Sequence, residues 1–220
     1  MDIVIPIFPD FTALDAIGPY EVLRMLPDVR VTFAAAERGT IVRTDSTFIG
    51  LHADRALTEI DAADVLVVPG GWGTRAAMKD EELLDWVRRI HGTTRFTTSV
   101  CTGSLVLGAA GLLTGLAATT HWAQARLLER TGAKYTAQRV VQQGKIITGA
   151  GVSAGIDMAL TLAAQIAGED VAKSIQLAIE YDPQPPFDCG SPEKAGAEIV
   201  ALTGMLRERP TDGLTDGLTD

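Results

Sequence analysis

The chain has 220 residues, enough for one sizeable domain, and its 46% hydrophobic and 21% charged residues have the balance of a globule with a full core. Its formal net charge of -9 argues against nucleic acid as a partner, because phosphates would be repelled, and no basic run offers itself to a membrane surface. The apolar stretches stop short of the ~18 residues a membrane span needs, the opening Met1-Asp2-Ile3-Val4-Ile5-Pro6 lacks a secretion signal, and Cys101 and Cys189 read as reduced thiols, so a cytoplasmic setting is expected.

Ile3 to Phe8 is short, apolar and β-branched, and reads as a buried strand ending at Pro9-Asp10. A helix is expected from about Gly18-Pro19, with Val22, Leu23 and Leu26 on one face and Pro27-Asp28 as its stop. Val29 to Ala35 is a second strand, and Thr40 to Leu51 alternates weakly, as a hairpin or edge excursion would. Val65 to Val68 is a third core strand, ended by Pro69-Gly70-Gly71. Asp80 to His91 repeats apolar residues at Leu83, Leu84, Val87 and Ile90, a helical spacing. Phe96 to Val100 is a fourth strand, followed by a short helix of small residues over Gly103 to Gly111.

Trp122 to Thr131 is an amphipathic helix stopped by Gly132. Tyr135 to Val141 and Lys145 to Thr148 carry a hairpin signal. Two helices, Ile156 to Ala167 and Val171 to Ile179, are split by Gly168-Glu169-Asp170; an irregular loop over Pro183 to Pro192 precedes a last helix from about Glu193 to Arg207. Strands alternating with helices predict an α/β fold, a mostly parallel sheet covered on both faces. Residues 1–210 read as a single domain, and 211–220, a repeated Thr-Asp-Gly-Leu unit with three Asp and no base, as a disordered acidic tail.

The segment Ser99-Val100-Cys101-Thr102-Gly103-Ser104 carries the chemistry. A strand ends at a cysteine and small residues follow at once, as a sharp strand-to-helix turn demands. Amide dipoles at a helix start favour a thiolate, so Cys101 is the candidate nucleophile with a lowered pKa. On pattern alone Cys101 also fits a small buried hydrophobe. Its candidate acid/base partner is Asp15, on the loop that leaves the first strand toward the edge where doubly wound sheets place their sites. Capping of the helix near Gly18-Pro19 is the other reading of Asp15.

Gly70 and Gly71 follow a core strand and could offer free amides to an oxyanion; a purely steric turn is the alternative. His121, just ahead of a helix, could pair with the thiolate or cap that helix. His52 and His91 lie in segments that look exposed and are assigned no role, and Cys189, in a Pro-rich loop, lacks the elbow pattern. No spacing of Cys, His and Asp suits zinc, and no metal is expected.

Taken in order, Val65-Leu66-Val67-Val68-Pro69-Gly70-Gly71, Ser99-Val100-Cys101-Thr102-Gly103, Gly111-Leu112-Leu113-Thr114-Gly115 and Ala118-Thr119-Thr120-His121-Trp122 resemble the ThiJ/PfpI superfamily over Ile3 to about Ala201. The resemblance implies a flavodoxin-like three-layer sandwich related to class I glutamine amidotransferase domains, a homodimer without cofactor, and Cys101 as nucleophile. Leu14-Asp15 with Gly18-Pro19, the run Cys101 to Gly108, and Leu177 to Phe187 followed by Gly190-Ser191-Pro192 are similar to the isocyanide hydratase branch, lyases that turn isocyanides into N-substituted formamides.

Carried over, that likeness makes Cys101 attack, Asp15 act as acid and base, and Thr102 and Gly71 line the pocket. Thr102 stands where protease-like members have histidine, which argues against a peptidase. The related transcription regulators append a basic DNA-binding module, and here the last helix is followed by acidic residues. Other thiol chemistry of the glyoxalase or amidase kind, and a redox or stress sensor built on Cys101, remain the alternatives. For both of its duties Asp15 must exchange protons near neutrality, so its pKa is expected above the ordinary ~3.9.

Overall fold

A computed structural model describes residues 1–46 and 48–207, and its contacts group them into two units, Met1–Tyr181 and the segment from Asp182 on. The single domain expected over 1–210 has no boundary at Tyr181, and the expected tail, 211–220, lies outside the described residues.

In chain order the first unit runs β1 (Asp2–Pro6), α1 (Ala13–Leu23), β2 (Arg30–Ala35), β3 (Ile41–Arg43), β4 (Gly50–His52), β5 (Arg55–Ala56), β6 (Val65–Val68), α2 (Thr74–Ala77) and α3 (Glu81–Thr93). It continues β7 (Phe96–Val100), α4 (Gly103–Ala109), β8 (Ala117–Ala118), α5 (Ala125–Glu129), β9 (Lys134–Tyr135), β10 (Val140–Gln143), β11 (Ile146–Gly149), α6 (Ala154–Ala167) and α7 (Glu169–Ala178). The second unit holds α8 (Pro192–Arg207), interrupted at Gly196, whose φ of 76° is not helical.

Seven strands form one sheet in the order β10-β11-β7-β6-β1-β2-β5, parallel throughout except for the β10–β11 pair. The central strands are apolar and buried along their length: every residue of β6 is buried, and Ile3, Val4 and Ile5 of β1 are closed to solvent. Such strands have no wet face, which is why their sequence shows an apolar run rather than an alternation. Helices α1, α6 and α7 pack together on one side, and α4 gathers α2, α3 and α5 on the other. This is the doubly wound α/β sandwich that the alternating pattern predicts.

Helix α3 shows how local chemistry sets an element. Asp80 caps it by accepting the Leu83 amide at 3.1 Å, and Leu83, Leu84, Trp86, Val87 and Ile90 bury one face.

Three expectations are corrected. Helix α1 begins at Ala13, not near Gly18, and runs through Pro19. Pro19 is therefore an interior residue that leaves the carbonyl of Asp15 without its usual i+4 donor. The predicted Tyr135–Val141 strand divides: Lys134–Tyr135 pairs with Ala117–Ala118, and the hairpin joins Val140–Gln143 to Ile146–Gly149. Over 122–131 a 3-10 turn (Trp122–Gln124) leads into the short α5.

The sheet order reverses direction between β1 and β6: the chain leaves β1 for β2 on one side and leaves β6 for β7 on the other. A crevice opens at the carboxyl ends of strands at such a switch point. The segments that follow β1, β6 and β7 carry Asp15, Gly70-Gly71 and Cys101.

Candidate active site

Cys101 sits on the turn between β7 and α4 with φ of 55°, left-handed backbone that a side-chain-bearing residue adopts only under constraint. The constraint is visible. The Cys101 amide donates to the carbonyls of Gly149 at 3.1 Å and Ala150 at 2.7 Å. Its carbonyl accepts the hydroxyls of Thr120 at 3.1 Å and Ser104 at 3.2 Å. Gly103 lets the turn close: a Cβ there would lie 2.1 Å from the Val68 carbonyl oxygen. The small residues after the cysteine thus answer to a steric demand.

Asp15 occupies the first turn of α1, with Thr12 at the N-cap position. The capping reading of Asp15 therefore fails. Its side chain turns instead to the β6 edge, where Oδ2 accepts the Gly70 amide at 2.9 Å. Thr12 is itself tied down, donating its hydroxyl to Asp45 Oδ2 at 2.5 Å. The Asp15 carboxyl is wholly removed from solvent, and the thiol of Cys101 faces it. A Cβ on Gly70 would come within 2.7 Å of Asp15 Oδ2 and 2.5 Å of the Thr102 amide. Three separate segments therefore meet at one point.

Both glycine amides are spoken for. Gly70 N–H holds Asp15, and Gly71 N–H donates to Thr102 Oγ1 at 2.9 Å. The expectation that these amides wait free for an oxyanion is corrected: they orient the carboxyl and the threonine. The donors that reach the sulfur are the amides of Thr102 and Val152. His121 takes a capping role, accepting the Ala123 amide on Nδ1 at 3.2 Å, and its ring packs so closely on Gly151 that a Cβ there would sit 3.2 Å from Cδ2. His91 is bonded to Thr97 at 2.8 Å, His52 lies 3.9 Å from Asp54, and Cys189 is exposed in the second unit.

The protonation of the pair departs from expectation on the sulfur. Burial pushes Asp15 up from 3.8 to about 7, against the pull of the Gly70 amide and the thiol, with Asp45 adding a smaller upward push. Burial, and then the Asp15 charge, push Cys101 up to about 12, more than the Val152 and Thr102 amides can offset. The pull of the helix start is outweighed, and the sulfur's pKa moves up rather than down. Two groups this close titrate as a unit. Above about pH 7 the pair keeps one proton, and Asp15 is positioned to take that proton as the sulfur reacts.

A family model described as the DJ-1/PfpI family matches residues 1–165. The chain belongs to the DJ-1/PfpI family. Among relatives of this DJ-1/PfpI protein, the isonitrile hydratase of Pseudomonas putida is 47% identical over 194 residues, covering 88% of this chain and 84% of that one. A solved ThiJ/PfpI family protein from Pseudomonas syringae superposes with a TM-score of 0.89 at 36% identity, over 94% of this chain and 86% of that one. Drosophila melanogaster DJ-1beta, at 23% identity, shares the fold with a TM-score of 0.74 over 81% of this chain and 97% of that one. The flavodoxin-like sandwich inferred from the sequence is the fold observed. Among the described residues no helix is long and apolar enough to cross a membrane, and no cluster of three or more His, Cys, Asp or Glu could hold a metal.

The groups that hold the cysteine's backbone carry no signal in the sequence. Ser104 and Thr120 lie inside the quoted motifs, but nothing in their spacing says that both reach the Cys101 carbonyl. Arg139 and Asp157, joined by a hydrogen bond from Arg139 Nε to Asp157 Oδ2 at 2.8 Å, are 18 residues apart and carry no motif.

Proposed function

We propose that the protein is a cysteine-dependent hydratase that converts isocyanides to N-substituted formamides through a thioimidate on Cys101. The observation that carries the reading is the buried Cys101–Asp15 pair, a soft nucleophile and a carboxyl with a pKa near 7 facing each other at the sheet's switch point. The 47% identity to an isonitrile hydratase supports the substrate class.

The terminal carbon of an isocyanide is both electrophilic and, once attacked, basic. Sγ forms the S–C bond while the pair's proton passes by way of Asp15 to that carbon, giving Cys–S–CH=N–R. The carboxylate left on Asp15 then takes a proton from a water that adds to the same carbon and passes it to the imine nitrogen, giving Cys–S–CH(OH)–NH–R. Collapse of the adduct breaks the C–S bond, releases the formamide, and returns the proton to the sulfur. Asp15 must hold a proton in one half of this cycle and release it in the other, and a pKa near the working pH serves both. Thr102, fixed by Gly71, keeps the turn around the sulfur in place.

The reading includes a homodimer and a cytoplasmic setting. Its test is formamide production from a panel of alkyl and aryl isocyanides, with Cys101→Ser as control and methylglyoxal as competing substrate. Turnover of isocyanides that is lost in Cys101→Ser supports it. Turnover of methylglyoxal with none of any isocyanide overturns it in favour of glyoxalase-like chemistry.

A further inference from the structure

The loop Gly149-Ala150-Gly151-Val152-Ser153 joins β11 to α6 and is wrapped around the nucleophile. Its first two carbonyls accept the Cys101 amide, at 3.1 and 2.7 Å, and its Val152 amide donates to the sulfur. Two glycines and an alanine in five residues leave such a loop with wide backbone freedom. Something outside must fix it.

Arg139 grips it at both ends. The Arg139 carbonyl accepts the Ala150 amide at 2.9 Å, and its guanidinium donates to Ser153 Oγ at 3.2 Å. The same guanidinium is paired with Asp157 in the first turn of α6, through Nε at 2.8 Å and Nη2 at 2.6 Å. Asp157 is held in turn by the Tyr181 hydroxyl at 3.0 Å. The fork geometry of arginine suits this double contact and a point charge does not.

The pair is too exposed to matter much to global stability: the side chains of Arg139 and Asp157 are 50% and 32% accessible, and ion pairs at such sites contribute little. Helix α6 is anchored by the fully buried Met158, Ala159, Leu162 and Ala163 whatever Arg139 does.

We propose that Arg139, through Asp157 and Ser153, is a positioning residue for Cys101: it fixes the 149–153 loop so that two carbonyls clamp the nucleophile's backbone and one amide meets its sulfur. The proposal rests on Cys101 being the nucleophile. Asp15 is the charged group that faces the sulfur, with Asp45 behind it, and neither is touched by the variants below.

The test compares Arg139→Ala, Arg139→Lys and Ser153→Ala in a Cys189→Ser background, which removes the exposed thiol. Two quantities are read: the rate of Cys101 alkylation by iodoacetamide at pH 8, followed by intact mass, and kcat and KM for an isocyanide. Loss of the clamp weakens about one hydrogen bond to the sulfur, so Arg139→Ala is expected to slow alkylation about tenfold. The expected kcat falls by a similar factor with KM changed by less than about threefold, and lysine recovers part of both. Ser153→Ala, which leaves the ion pair intact, shows the same direction at smaller size.

Alkylation unchanged or faster in both Arg139→Ala and Ser153→Ala, with melting temperatures near wild type, overturns the proposal. So does an Arg139→Ala protein that fails to fold while Ser153→Ala behaves as wild type. If alkylation slows as expected but wild-type protein hydrates no isocyanide, the positioning role stands and the hydratase reading falls.

Discussion

Replacing Asp15 by asparagine isolates the electrostatic penalty of burying this carboxyl. Asparagine keeps an oxygen for the Gly70 amide, which Asp15 accepts at 2.9 Å, and cannot ionise. In the folded protein Asp15 titrates at about 7; in the unfolded chain it returns to 3.8. Well below pH 3.8 both states hold the proton and there is no penalty. As pH rises from 4 to 7 the unfolded chain ionises first, so the raised carboxyl destabilises the fold progressively, and above 7 the loss is complete. About three pH units at ~1.4 kcal/mol each give a loss of about 4 kcal/mol. Urea denaturation of wild type and Asp15→Asn at fixed protein concentration, from pH 4 to 8, reads it. The variant's stability relative to wild type is expected to climb by several kcal/mol across that window and then level off. A difference that stays flat with pH would mean that the carboxyl is solvated or that its charge is compensated, and the proton account of the pair would fail.

Three further outcomes follow from the same geometry. Alkylation of Cys101 in a Cys189→Ser background should keep accelerating above pH 9, because the thiol is pushed up to about 12, and Asp15→Asn should move the rise to lower pH by removing the facing charge; a plateau near pH 8.5 in wild type contradicts this. Thr102→Val strands the Gly71 amide that now donates to Thr102 Oγ1, and thermal denaturation should show a loss of roughly 1–3 kcal/mol. Gly103→Ala places a Cβ 2.1 Å from the Val68 carbonyl, so the elbow must open, with a loss of about 2 kcal/mol or more and little turnover; a variant that melts and turns over like wild type would show that the turn is looser than described.

Much of the fold is legible in the chain because its central strands have no wet face: Val65–Val68 and Phe96–Val100 can only be core strands. Cys101 is legible for the related reason that its turn admits only small followers. Pro19 misleads, because a proline after a glycine looks like a helix start, whereas here α1 tolerates it in its interior. The direction of the sulfur's pKa was out of reach: helix polarity is local and readable, but the depth of burial and the opposing Asp15 come from three segments meeting in space. The partners of the Gly70 and Gly71 amides were hidden for the same reason, since a glycine advertises an accessible amide and not what occupies it. Arg139 reaches the site through a loop whose contributions are backbone carbonyls and amides, groups that every residue carries.

The account stands on a covalent bond between Cys101 and the isocyanide carbon, and acid-quenched intact mass spectrometry tests it most directly. Mixed with an alkyl isocyanide and quenched within one turnover, wild type should carry a single adduct equal in mass to one whole isocyanide, mapped to the peptide carrying Cys101, and Asp15→Asn, which lacks the proton carrier, should carry much less. Formamide released by wild type with no adduct on either protein, or turnover that survives in Cys101→Ala, would contradict the account.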